Sequence, residues 1–430
     1  MERGKLVRSL AQIVGSSNVT TEPEQIIACG FRMESRPEVL VFPGSKEELQ
    51  EIVWWAINEE LPLVPLGSGS EIRRVLDSFQ RGIGVSLQRL NRFVELEPDN
   101  LSVRVEAGAV NSELQEVLCR NNLFLPVFPD YPQSTIGGEV AADTAGRKRY
   151  RYGSIGDYVL GLEFISPGGK LVKTGGKTVK NVSGYDFTKL LAGSWGTLGV
   201  ITEVTLKLRP LPEVESLVLV SFDGFSNALE MAWELMGRRL TIVSLEILWP
   251  ASQWRLLDCP GEIILLVVLE GSREAVTEHR KQVQEVITGR PAQWIDERLA
   301  ISRFWENYHR FRWEMKTSNF FSANFDKRLT AEIVERIFSK SEKMDMQVGL
   351  DVGSGVLDFS LTNYNEMPRN LLERWLFLQA EYGEDRVRLS FAAPSKQLLL
   401  EKLWPKIDPQ GIMFPTNALL RGVNRGSGNR

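Results

Sequence analysis

From residue 39 onward the apolar positions switch repeatedly between two periods. VLVF (39–42) is an unbroken apolar run and reads as a buried strand. SKEELQEIVWWAINEE (45–60) spaces its apolar residues at helical intervals, with Ser45 in the N-cap position and Glu48 in the reciprocal capping position. LPLVPL (61–66) reads as the next strand, so the chain opens a βαβ unit. Short strands follow at GIGVSL, FVELE and LSVRVEAG, then a helix NSELQEVLCRNN with Asn111 as its cap. A glycine-rich tract from 137 to 199 comes next, broken by LGLEFISP and KLVKTG. Pro210 and Pro212 mark a boundary, because each removes a ladder donor and resists helix. Beyond it ESLVLVSF, SNALEMAWELM, TIVSLEIL, IILLVVLE and REAVTEHRKQVQEVI give β-α-β-β-α, the order of a split βαβ sheet with helices on one face.

The predicted fold class is therefore α+β. Two lobes, about 1–105 and 106–212, form a first domain. A smaller, ferredoxin-like α+β domain spans 213–394, and 395–430 is a C-terminal segment whose last stretch, GVNRGSGNR, reads as a disordered tail.

At 430 residues two or three domains are expected, and an apolar content of 43% is ample for their cores. The net charge of -4 arises from interspersed signs without a basic block, which argues against nucleic acid as a partner. Cys29, Cys119 and Cys259 are scattered, fit a reducing compartment and lack the spacing of zinc or Fe-S ligands, so no metal site is expected. The longest unbroken apolar run, IILLVVL, is too short to span a bilayer, and a cytoplasmic location follows as the expectation.

Three segments carry chemistry. In PLGSGSE (65–71), Gly67 and Gly69 can turn successive amides into one concavity for a phosphate, and Ser68 and Ser70 add hydroxyls. A plain tight turn is the alternative, and neither the dinucleotide fingerprint nor the P-loop is present, since Ile72 and Leu171 stand where those motifs need glycine. In PVFPDYPQSTIGGEVAADTAG (126–146) the small side chains would let a large flat group lie on the backbone, or let helices pack closely. In KTVKNVSGYDFTKLLAGSWGTLGVITEVTLKL, Lys180 and Asn181 precede a helix, and Gly193, Gly196 and Gly199 return the chain beside it. Together the three tracts suggest one long ligand across two lobes, held where side chains are absent.

PLGSGS, then P-x-x-x-x-x-TIGG-x-x-A, then YG-x-x-x-D-YVLGLE, then VKNVSGYD-x-T-KLLAGS-x-GTLGVITEVTLKL resemble the FAD-binding domain of the vanillyl-alcohol oxidase type, the PCMH-type FAD-linked oxidases. The resemblance covers about residues 34–212, with an echo at Asp408 to Leu419 that implies a return of the C-terminal segment to the first domain. Within that family the chain is similar to the FAD-binding subunits of bacterial glycolate or D-lactate dehydrogenase complexes. The resemblance implies FAD, with Pro65, Leu66, Gly67, Ser68, Gly69 and Ser70 around its pyrophosphate. It also places Pro129, Thr135, Ile136, Gly137, Gly138 and Ala141 along the flavin and ribityl chain, and counts Asp143 among the cofactor-binding residues. Gly193, Gly196, Thr197 and Gly199 would pack near the adenine half, and Val200 and Ile201, also counted among the cofactor-binding residues, lead into the next strand. Leu66, Trp195, Asp143, Phe414 and Thr416 depart from the residues usual in the family at those positions.

Hydroxy-acid oxidation needs a proton acceptor and cations for the carboxylate. The histidine cluster that family members carry in their second domain is missing, since His279 and His309 are the two histidines of the chain. Tyr308, His309 and Arg310, with Arg312, are the candidate anion-binding and catalytic residues. With no histidine before residue 279, FAD is expected to bind noncovalently. The expected role is an FAD subunit of a 2-hydroxy-acid dehydrogenase complex that receives or relays electrons beside a catalytic flavoprotein and an Fe-S protein and passes them to a partner subunit, with membrane association only through those partners. Trp249, Trp254 or Trp305 are expected at the partner surface. The alternatives are a self-sufficient dehydrogenase of a small alcohol or hydroxy acid, and an assembly subunit without a working flavin site.

Overall fold

The computed structural model describes residues 3–33, 35–72, 82–176, 187–250, 261–317, 319–325, 346–361, 387–390 and 413. Lys180, Asn181, Trp254, Cys259, Phe414 and Thr416 lie outside them. The chain divides into two compact units. The first holds Met1–Ala145 and Ser154–Leu211, with Met413 bridged in parallel to Leu63; the second holds Gly146–Gly153 and Pro212–Ser390.

In the first unit β1 (Val19–Thr20), β2 (Val39–Val41), β3 (Leu63–Leu66) and β4 (Ile83–Ser86) form a sheet of order β1-β2-β4-β3, in which β2 and β3 run parallel to β4. The helix Lys46–Asn58 joins β2 to β3 and buries Leu49, Ile52, Val53 and Ala56, the helical spacing read in the sequence. Ser45 caps it by accepting from the Glu48 N–H at 3.1 Å, while the Glu48 carboxylate reaches back to the Gly44 N–H, one residue before the position expected.

A second sheet, β5 (Phe93–Glu97), β6 (Ser102–Glu106), β8 (Val159–Ile165), β9 (Leu171–Gly175) and β10 (Val200–Lys207), is antiparallel throughout, in the order β5-β6-β10-β8-β9. β7 (Leu123–Phe124) and β11 (Arg209–Pro210) form a separate ribbon. The helix Lys46–Asn58 is tied to this second, antiparallel sheet at Lys46, whose Nζ meets Glu163 of β8 and lies 2.8 Å from Glu203 of β10. Burial opposes the Lys46 charge, but the two carboxylates more than offset it and hold the ammonium above its usual range.

The second unit carries β12 (Val214–Phe222), β13 (Ile242–Trp249), β14 (Ile263–Gly271), β15 (Ala292–Ile295), β16 (Asn319–Phe325), β17 (Met346–Asp351), β18 (Val356–Leu361) and β19 (Val387–Ser390) in one sheet, ordered β15-β12-β14-β13-β17-β18-β16-β19. Its first four strands interleave two split βαβ units, the ferredoxin-like arrangement. Helices Phe225–Gly237 and Arg273–Val286 cover one face through a core that includes Val218, Leu245 and Leu265. The other face is not open: the helix Arg298–Thr317 packs there through Phe304, Trp305, Tyr308 and Met315. The unit is thus three-layered, where the sequence pattern predicted helices on one face.

Candidate functional site

The parallel sheet ends at Leu66 and Ser86, which are direct neighbours in register. The carboxyl edge of such a sheet is where open α/β folds bind ligands. The turn Gly67–Ser70 leaves this edge half-exposed, and the amides of Ser68, Gly69 and Ser70 donate to no acceptor among the described residues. Consecutive free amides in one turn are a ready anion cradle.

The other two tracts converge on the same edge. Thr135 caps the helix Ile136–Ala142 by accepting from the Gly138 N–H, and its hydroxyl fills the space a side chain at Gly67 would need. Gly196 abuts Pro65, and Trp195 donates its N–H to the Ala141 carbonyl at 2.9 Å. Gly193 does the same to Val140, and Thr197 closes the turn by bonding the Ser194 carbonyl. Val200 and Ile201 open β10 and are buried, as is Ile136; Pro129 is half-buried.

The space at the glycines is filled by the protein itself. A Cβ on Gly69, whose φ is +79°, would stand 1.9 Å from the Cys29 carbonyl oxygen, and one on Gly137 would stand 2.5 Å from the Ala107 Cβ. Segments of the chain cross there at van der Waals limits, which by itself accounts for the absence of side chains. The polar groups left without a partner among the described residues are the free amides and two buried hydroxyls, Ser86 Oγ and Ser194 Oγ. A buried hydroxyl left unpaired is costly, so it points to a bound group.

Asp143 has its own structural role. It ends the helix in the left-handed region at φ 52°, and its Oδ1 accepts from Ser154 Oγ at 2.8 Å and from the Gly156 N–H at 3.1 Å. Glu139, one turn earlier, was not singled out by the sequence reading because one glutamate in a run of small residues carries no period. It is buried, accepts from Ser134 Oγ and Asn111 Nδ2, and burial pushes its carboxyl up to about 8 against those two bonds. Asn111 is accordingly not a helix cap: Val110 holds that position, and the asparagine amide is turned inward to Glu139.

In the second unit, register places five carboxylates on one sheet face: Glu215 opposite Glu270, Glu246 opposite Asp351, and Asp358 opposite Gly349. The strap Gly146–Gly153 supplies Lys148 to Glu270 and, at 3.7 Å, to Glu215. Tyr152 also bonds Glu270, and Trp305 Nε1 bonds Glu215. Arg312 pairs with Asp358, and the Tyr308 hydroxyl donates to Glu246 at 2.6 Å. Burial, reinforced by Asp351, pushes the Glu246 carboxyl up to about 7. Arg147 stacks 3.7 Å over Trp305 and its Nη1 lies 2.6 Å from His309 Nε2, with burial drawing the guanidinium down to about 10.

The expected edge of Tyr308, His309, Arg310 and Arg312 does not form. Tyr308 and Arg312, four apart, share the inward face, whereas Arg310 is exposed and bonds Asn307. Trp305 is likewise buried rather than offered to a partner, Trp249 is half-buried, and His279 accepts from the Thr241 N–H and contacts its hydroxyl. Among the described residues no helix is long and apolar enough to cross a membrane.

The profile of the FAD binding domain family matches residues 37–175. The chain is similar to the glycolate oxidase subunit GlcD of Bacillus subtilis, 27% identical over 283 residues that make up 63% of this chain and 60% of that one. It is 34% identical over 212 residues to the mitochondrial D-lactate dehydrogenase [cytochrome] of Arabidopsis thaliana, covering 49% and 37% of the two chains. Matches to these relatives thus span 60% of their length or less. In fold it resembles p-cresol methylhydroxylase with substrate bound, with a TM-score of 0.73 at 15% identity over 97% of this chain and 96% of that one. Residues 37–175 thus match the FAD binding domain, and the chain is similar in sequence to these FAD-linked dehydrogenases and in fold to p-cresol methylhydroxylase.

Proposed function

We propose that this chain is the FAD-carrying subunit of a dehydrogenase for glycolate, D-lactate or a similar 2-hydroxy acid, delivering electrons to a partner subunit. The observation that carries this reading is the convergence of three glycine tracts on the carboxyl edge of β3, with free amides at Ser68–Ser70 and an unpaired buried hydroxyl at Ser194. These residues fit FAD: the amides suit its pyrophosphate and Ser194 suits a polar atom of the nucleotide half. Held by the Ser68–Ser70 amides and the Ser194 hydroxyl, FAD would supply the electron-carrying chemistry of the complex. Attachment is noncovalent, since no histidine precedes residue 279. The subunit role is supported by the GlcD relative and by the engagement of both histidines, His279 with Thr241 and His309 with Arg147. A catalytic flavoprotein and an Fe-S protein are the partners this role calls for.

A self-sufficient dehydrogenase is the second reading. Glu246 favours it: a carboxyl titrating near neutrality and bonded to Tyr308 is poised to hold or release a proton. The deciding experiment is an anaerobic visible spectrum of the purified chain before and after glycolate and D-lactate. A yellow protein that ignores both acids alone, releases its flavin on denaturation and is bleached once partner subunits are added is the expected result. Bleaching of the isolated chain establishes the second reading, and a chain that retains no FAD overturns both.

A further inference from the structure

We infer that Ser86, which lies in none of the glycine tracts, binds the ADP half of the cofactor. This rests on the FAD reading above. Ser86 is fully buried at the last position of β4, and its hydroxyl meets no partner among the described residues. Its direction follows from register. Gly84 pairs with Leu40 and Val64, and Ser86 pairs with Leu66, so Ser86 shares the sheet face of the cluster formed by Ile26, Phe31, Leu40, Val64, Leu66 and Ile72. That cluster offers no polar partner. It is apolar at depth and becomes half-exposed at Cys29, Phe42 and Trp195, which pack against it.

The hydroxyl therefore sits at the strand end from which the free amides of Ser68–Ser70 leave, on the face where two aromatic side chains border the cluster. A planar base with hydrogen-bonding edges, joined to a diphosphate, matches this sequence of surfaces. The neighbouring chain holds the edge in place: Leu87 donates its N–H to the Leu66 carbonyl at 2.9 Å, and Gln88 Nε2 reaches the Gly67 carbonyl at 3.4 Å.

The test follows from the cost of an unpaired buried hydroxyl. Ser86→Ala removes that cost from the cofactor-free protein and removes the bond from the complex, so stability and affinity move in opposite directions. FAD affinity is read from flavin fluorescence quenching, ADP affinity by displacement, and stability from the melting temperature of the FAD-free chain. Ser86→Ala is expected to weaken FAD and ADP by the same factor, about five- to thirtyfold, while raising the melting temperature of the FAD-free chain. Unchanged FAD affinity overturns the inference. Weakened FAD with unchanged ADP also overturns it, because the hydroxyl then serves the flavin half. A parallel fall in affinity and melting temperature overturns it as well, since it marks a packing defect. Failure of the unsubstituted chain to bind FAD is a separate result that removes the underlying reading.

Discussion

Glu215 and Glu270 stand directly opposite each other on β12 and β14, and the Lys148 ammonium contacts both. Like charges opposed across a ladder repel, and with Glu270 buried and Glu215 half-buried, the lysine is the cation that offsets the repulsion. Lys148→Gln is expected to destabilise the second unit by about 2–4 kcal/mol, because Glu270 and Glu215 lose the ammonium that pairs with both and keep the neutral donors Tyr152 and Trp305. Adding Glu270→Gln should restore part of the loss. Urea unfolding followed by tryptophan fluorescence checks both, and a single variant as stable as the parent would refute the account.

Glu139 ties stability to pH. Its folded pKa of about 8 lies above the ordinary value of 4.5, so the native state keeps a proton that the unfolded chain releases. The stabilisation is complete below about pH 4.5 and declines as pH rises toward 8, by up to about 1.4 kcal/mol per unit. Glu139→Gln should flatten that slope in melting curves taken between about pH 5 and 8. A slope identical to that of the parent would assign the proton elsewhere.

Two glycines separate packing from ligand binding. Gly69→Ala puts a Cβ against the Cys29 carbonyl at a positive φ and should lower the melting temperature of the FAD-free chain, before any cofactor is added. Gly176→Ala, with nothing within 4 Å of its Cβ, should be silent. If Gly69→Ala melts normally and loses only FAD, the ligand, and not the Cys29 carbonyl, occupies that space.

Lys46→Met should loosen the tie between the helix Lys46–Asn58 and the antiparallel sheet of the first unit. Glu163 and Glu203 would lose their shared cation, at a cost on the order of 1–3 kcal/mol given that the lysine keeps some contact with water. Molar salt should narrow the difference from the parent by screening the remaining repulsion. Hydrogen exchange in β8 and β10 reports it locally, and unchanged protection there would show that the clasp contributes nothing.

Much of this was legible from residue patterns, for physical reasons that differ by element. The helix Lys46–Asn58 and the strands β12 to β14 announce themselves because one face or both faces are buried, which imposes a period. Strand order is set by pairings distant in sequence, and no local pattern reveals that β4 lies between β2 and β3. The glycine tracts were readable as a place of close approach, yet the approaching group at Gly69 and Gly137 proved to be backbone and alanine from elsewhere in the chain. Burial of Lys148 depends on acids more than sixty residues away in sequence, which no window on the strap contains. Ser86 was passed over because one serine at a strand end has no signature until its neighbours are known.

The strap also limits how such a protein can be inherited in pieces. Its eight residues are encoded within the stretch specifying the first unit, yet they supply the cation that the second unit's acidic sheet face requires. A recombination joint at the Leu211–Pro212 boundary would therefore hand the incoming partner a sheet matched to the wrong counter-charge. Exchange of the second unit between related genes should succeed only where residues 146–153 travel with it.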